Sequence, residues 1–124
     1  MARLQANVWV SAYIRRVNQS GAVAAVARRG DEASGTIFIK INTLGGAISL
    51  LGPAMPSLDD TMPQRRWELR QRAEDEADID RYLAREGERD PDMWVVEIED
   101  RSGKDHLLDE ERAPDLGDGM RNLR

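Results

Sequence analysis

Apolar and polar positions change period several times along the 124 residues, and each change predicts an element. Between Val8 and Val17 the apolar residues recur at helical spacing, with Val10, Ile14 and Val17 on one stripe and Val8 with Ala12 on another. Asn7 suits the N-cap and Gly21 the C-terminal stop, so a largely buried helix is expected here. Trp9 and Tyr13 sit one turn apart in it and read as core packing. From Ala22 the period becomes two. Ala22 to Arg29 and Thr36 to Asn42 flank a loop of glycine and small polar residues, which predicts a β-hairpin. In the second strand Ile37, Ile39 and Ile41 share a face, as in a sheet covered on one side. Gly45-Gly46 then turns the chain into Ala47 to Leu51, and Gly52-Pro53 ends that strand, giving a three-stranded meander.

Pro53 to Pro63 carries three prolines and reads as an irregular loop. Alternation resumes at Arg65 to Arg70, with Trp67 and Leu69 inward and Arg66, Glu68 and Arg70 outward. Asp75 to Glu88 has acidic residues in its first turns, arginines later and Pro91 beyond, an order matched to the helix dipole. Its apolar stripe, Ala77, Ile79, Tyr82 and Leu83, is narrow enough to leave one side wet. Met93 to Glu99 is a strand with Trp94, Val96 and Ile98 on one face, and Asp100 to Gly103 turns into a short strand around His106 to Leu108. Beyond Asp109 the chain is acidic and poor in apolar residues. The expected fold is therefore α+β: a mostly antiparallel sheet of about five or six strands with two main helices packed on it. Residues 1–108 form one domain and 109–124 an acidic, disordered tail.

Four phrases carry a family resemblance: Val8 to Arg16 (VWVSAYIRR), Arg28 to Asp31 (RRGD), Ala77 to Leu83 (ADIDRYL) and Asp90 to Asp100 (DPDMWVVEIED). Over about residues 6–108 the chain resembles a small bacterial family, the domain of unknown function 1491. The resemblance implies a small α+β fold found in alphaproteobacteria. It implies no activity, and no functional residue is carried over from it.

Charge changes the picture further. The net charge of −5 hides ten Lys/Arg against five Asp/Glu in residues 1–72, then eight against eighteen in residues 73–124. Oppositely charged halves of one domain neutralise each other, or one of them meets a charged partner. With no cysteine, disulfides, thiolate catalysis and thiol-based zinc sites are excluded. The apolar run from Val8 to Ile14 is too short to span a bilayer and lacks the organisation of a signal peptide, so a cytoplasmic protein without membrane contact is expected.

Candidate chemistry is sparse. Neither Lys40 nor Lys104 follows a glycine-rich phosphate loop, and the Gly45-Gly46 pair lies between strands, where it serves as a turn. The only imidazole is His106. Ser102 and Asp105 lie near it in sequence, but the strand-to-helix elbow of a serine hydrolase is missing. Asp92 followed by Glu97 and Glu99 is similar to a metal-dependent nuclease arrangement, except that Glu99 stands where the lysine belongs. These three are the weak metal candidates, and the simpler reading pairs Glu97 and Glu99 with Arg66 and Arg70 across strands. Arg15, Arg16, Arg28, Arg29 and Arg66 are the candidate residues for an anion or a protein partner. The reading that follows is a noncatalytic protein-interaction domain, its charges paired internally or across a homodimer, with no cofactor and with the Asp75 to Glu88 helix facing the partner. Its alternatives are nucleic-acid or other anion binding through the arginine-rich half, which the acidic second half disfavours, and a divalent-metal enzyme built on the acidic cluster.

Overall fold

A computed structural model describes residues 4–54 and 65–114. Helix α1 (Ala6–Gln19) leads into β1 (Val23–Arg28), β2 (Ile37–Asn42), β3 (Ile48–Pro53) and β4 (Trp67–Ala73), then helix α2 (Glu76–Arg89), β5 (Trp94–Glu99) and a single 3-10 turn at Asp109–Glu111. The strands form one five-stranded sheet in the order β1-β5-β2-β3-β4. Its pairings are antiparallel except for β2 with β5, which run parallel. The fold is α+β, as the pattern of periods indicates.

Each helix covers one face. Trp9, Val10, Tyr13 and Val17 of α1 pack on Ile37, Ile39, Ile41, Trp94, Val96 and Ile98, while Ile79 and Leu83 of α2 pack on Phe38, Ile48, Leu50, Met93 and Val95. Alternating strand residues therefore serve two separate cores, and β2, expected to be covered on one side, is buried on both. On α1 the burial is one-sided instead, with Val8 and Ala12 exposed. Gln5 rather than Asn7 precedes its first turn. The acidic start of α2 is capped as its composition predicts, Asp75 accepting a hydrogen bond from the Ala77 backbone N–H.

The expected meander forms only in part: β2 and β3 pair antiparallel, but β1 and β2 do not pair. β5 enters between β1 and β2, so the expected hairpin is split and its two strands never touch. Burial explains the insertion: four of the six β5 residues, Trp94, Val95, Val96 and Ile98, are apolar or aromatic and buried, with Glu97 and Glu99 at the wetter end, and both of its faces need cover, whereas β1 is half alanine, almost wholly exposed, and tolerates an edge. Gly30 and Gly35 let the connecting loop pass over the start of β5, since a Cβ at either would lie within 2.4 Å of the Asp92 carbonyl oxygen.

No strand forms around His106 to Leu108. His106 has a φ of 59°, which breaks an extended run. The chain instead crosses to the α1 side. The residues from Asp109 to Ala113, assigned by composition to the acidic tail, pack there through polar contacts: Trp67 forms a parallel bridge with Arg112, and the Ala113 N–H donates to the Trp67 carbonyl at 2.9 Å. Most of the expected Pro53 to Pro63 loop, and the tail beyond Pro114, lie outside the described residues.

Candidate functional site

The five candidate arginines do not converge. Arg15 is exposed on α1. Arg16 donates to Glu111 at 2.9 Å and to the His106 carbonyl at 2.8 Å. Arg28 lies against Gly87 of α2 and reaches the Pro91 carbonyl. Arg29 lies 5.2 Å above the Trp94 ring and 3.6 Å from Glu32, and Arg66 precedes β4 on the far side of the sheet. Nor do the acidic candidates gather: Asp92 is in the loop before β5, Glu99 is exposed, and Glu97 lies 3.9 Å from Lys40. Among the described residues no three acidic or imidazole side chains form a group that could hold a metal ion. Pairing of Glu97 and Glu99 with Arg66 and Arg70 does not occur, because β2 and β3 separate β5 from β4.

Two polar networks instead hold elements together. Lys40 of β2 points into the α2 side of the sheet, its side chain only 5% exposed, and donates to Glu76 and, at 2.8 Å, to Asp80. Burial by itself pushes this ammonium down, but the hydrogen bonds to Asp80 and Glu76 and the charge of Glu97 outweigh it, so its pKa stands above the ordinary lysine range. On the opposite face the carboxylate of Glu111 accepts from Trp9 Nε1 at 2.8 Å, from Arg16 and from the Leu108 N–H. Asp105 receives two bonds from Arg112, and its carbonyl accepts the Tyr13 hydroxyl. Burial and the charge of Asp105 push the Tyr13 phenol well up. Trp9 stacks between Tyr13 and Trp67, at 4.7 and 4.2 Å between centroids. These aromatics are core, as their spacing indicates.

His106 has a different set of partners from those suggested by sequence proximity. Asp105 faces Arg112, and it is Asp100 that meets His106, with Oδ2 2.6 Å from Nε2. Burial pushes the Asp100 carboxyl up, yet hydrogen bonds from His106 and from the backbone N–H groups of Ser102 and Lys104 outweigh it and hold its pKa below the usual range. Nε2 thus carries the proton toward Asp100. The other ring nitrogen, Nδ1, stands 3.4 Å from Ser20 Oγ at the end of α1, and the Ser20 hydroxyl donates to the Val17 carbonyl at 2.6 Å. An Asp–His–Ser row results, but the serine proton is directed away from the imidazole. The carboxyl end of α1, negative by its dipole, is moreover unsuited to an oxyanion. Only a contact 86 residues apart brings Ser20 to His106, so no sequence signal could have found it.

The two edges of the sheet are unlike. β4 carries Glu68, Arg70 and Arg72, and Arg112 with Ala113 lies along its start. β1 reads VAAVAR, is exposed at every position but Ala24, and leaves Val23 and Val26 among the exposed large apolar side chains. The outward N–H of Ala24 is taken by a side chain, Asn18 Oδ1 at 3.0 Å.

Residues 4–109 match the family described as Protein of unknown function (DUF1491). A crystal structure of a DUF1491 family protein from Caulobacter crescentus CB15 is 39% identical, covers 89% of this chain and 97% of its own, and superposes with a TM-score of 0.73. A solution structure of protein Atu0922 from A. tumefaciens is 42% identical, with 78% and 86% covered and a TM-score of 0.69. No curated protein matches the chain. No helix among the described residues is long and apolar enough to cross a membrane.

Proposed function

The chain belongs to the DUF1491 family, and from that starting point we propose that it is a noncatalytic, cytoplasmic interaction domain that pairs edge to edge with a second copy of itself through β1. The observation that carries this is the contrast between the two sheet edges. Folded proteins blunt exposed edge strands with charge, bulges or cover, because unpaired backbone groups recruit other strands. β4 has both charge and cover. β1 has a bulge after Val26 and one side-chain amide, Asn18, that an incoming strand can displace.

A two-fold axis would run the two β1 strands antiparallel. It brings Arg28 and Arg29, at the end of one β1, toward Glu99 of the other copy, which lies beside Val23 in the ladder. Two of the arginines singled out for a partner thus exchange long, exposed contacts within the chain, Arg28 with the Pro91 carbonyl at 3.4 Å and Arg29 with Glu32 at 3.6 Å, for this pairing, while Arg16 keeps its closer pair with Glu111 at 2.9 Å. The Lys40 and Glu111 networks support a noncatalytic reading, since their charges are already answered internally.

Sedimentation equilibrium across a concentration series tests it. The unmodified chain should form a dimer that dissociates on dilution, Val26→Lys should leave a folded monomer, and Asn18→Ala should strengthen the dimer. A monomer at every concentration, or a dimer that survives Val26→Lys, would overturn it.

A further inference from the structure

The chain from Asp105 to Ala113 belongs to neither the main helices nor the sheet, yet it supplies the polar partners of one stripe of α1. Trp9, Tyr13 and Arg16 lie along that stripe. Trp9 Nε1 and Arg16 donate to Glu111 at 2.8 and 2.9 Å, Arg16 also donates to the His106 carbonyl, and the Tyr13 hydroxyl donates to the Asp105 carbonyl. At its far end the Ala113 N–H donates to the Trp67 carbonyl, at the start of β4. The segment thus borders the whole aromatic row of Trp9, Tyr13 and Trp67.

Its own bonds close the segment on itself. Arg112 grips Asp105 with two hydrogen bonds, from Nη2 at 2.8 Å and from Nε at 3.0 Å, a fork that joins the first residue to nearly the last. Glu111 accepts from the Leu108 N–H at 2.8 Å and returns its own N–H to the Leu108 carbonyl at 2.9 Å. Compact loops whose ends lie close and whose side chains bond to one another hold together as units. The His106 ring reaches back to Asp100 in the entry turn, so that bond does not fasten the segment to α1 or β4. What does fasten it is mostly polar. Leu107, 5% exposed, is its one buried apolar side chain, and Leu108 is 45% exposed. Helix α1, by contrast, seats Trp9, Val10, Tyr13 and Val17 in the core. A polar contact opened to water regains hydration on both sides and has a small net worth, whereas an apolar one is lost outright. Segments with few buried apolar contacts therefore open at lower cost than the core.

We propose that Asp105 to Ala113 is a strap, latched by Glu111, that undocks as one unit while the helices and the sheet stay folded. Gly103, at a φ of 71°, gives the backbone its bend at the entry. Opening bares the Trp9 indole N–H, the Tyr13 hydroxyl and the Arg16 guanidinium together. Closed, the strap keeps the start of β4 paired; open, it leaves backbone groups there that can recruit another strand. The device is independent of β1 pairing, since β1 and β4 are opposite edges of the sheet.

Hydrogen exchange of the labelled full chain, followed by NMR across urea concentrations below the unfolding transition, tests this. The Trp9 indole N–H and the Ala113 amide report on the strap. The Trp67 indole N–H, which donates to the Ile37 carbonyl at 2.9 Å, and the β5 amides report on the sheet. The two strap probes should share one opening equilibrium, more populated by at least about tenfold than the one that exposes the sheet probes. Their exchange should also depend weakly on urea, because little surface is exposed. Glu111→Gln keeps the size of the latch and removes its charge, and it should speed both strap probes by a common factor. Strap probes that exchange only with the sheet probes, at the same urea slope, would overturn the proposal. So would an Ala113 amide that frays while the Trp9 indole stays protected, or a Glu111→Gln chain in which only one strap probe, or neither, is faster.

Discussion

Single residues here are decided by what stands within a few ångströms of them. A Cβ on Gly30 would meet the Asp92 carbonyl oxygen at 2.1 Å and the Trp94 ring at 2.6 Å. Neither can retreat. Gly30→Ala should therefore cost about 3 kcal/mol in urea unfolding. Gly87, inside α2, faces only the guanidinium of Arg28 at 2.7 Å, the far end of a flexible side chain. Gly87→Ala should consequently fall within about 1 kcal/mol of the unmodified chain, because the helix gains what the arginine loses. Glu111 shows the opposite sensitivity. Its side chain, 10% exposed, satisfies Trp9, Arg16 and a backbone N–H together, so Glu111→Ala strands a buried indole N–H and a half-buried cation. A loss of about 2 to 3 kcal/mol is expected in the same measurement. The burial of Trp9 and Tyr13 was legible from their spacing on a helix. The role of Glu111 was not, because its acidic, apolar-poor surroundings read as tail and its side-chain partners Trp9 and Arg16 lie 102 and 95 residues away.

At the scale of elements, polar networks determine how segments seat. Lys40 fastens α2 to the sheet, and its removal as Lys40→Met leaves Glu76, Asp80 and Glu97 facing one another without a counter-charge. Since Glu76 and Asp80 are about half exposed and screened by solvent, the cost at neutral pH should be about 1 to 2 kcal/mol. In the unmodified chain the raised Lys40 pKa acts at the alkaline end. Its stabilisation is complete below the unfolded lysine value and is lost as pH rises through the folded one. Asp100 has the opposite sign: its pKa is lowered, so its contribution is present at neutral pH and disappears on acidification through the folded value. Asp100→Asn should therefore flatten the acid limb of the stability profile. The limits of α2 were readable from its acidic start and basic end. The failure of a sixth strand was not, since the φ of His106 follows from contacts to Ser20, Asp100 and Arg16 rather than from its neighbours in sequence.

For the whole molecule, opposite charge in the two halves resolves partly into contacts between them: Arg16 with Glu111, and Lys40 with Glu76 and Asp80. With the candidate arginines dispersed and a net charge of −5, the chain should pass through immobilised duplex DNA at about 0.15 M salt without retention. Retention reduced by a change at any one of Arg15, Arg29 or Arg66 would contradict this. Strand identity, helix polarity and the α+β class follow from local periodicity, because side-chain alternation and end charges act within a few residues. Strand order does not. A loop of small residues permits a hairpin, but whether β1 actually closes on β2 depends on which strand most needs cover on both faces, and β5, more than 50 residues on, wins that place. Burial is a competition among all segments at once. It sets the neighbours of each strand, the contact between Ser20 and His106, and which edge stays open, and none of these is written in a local stretch of chain.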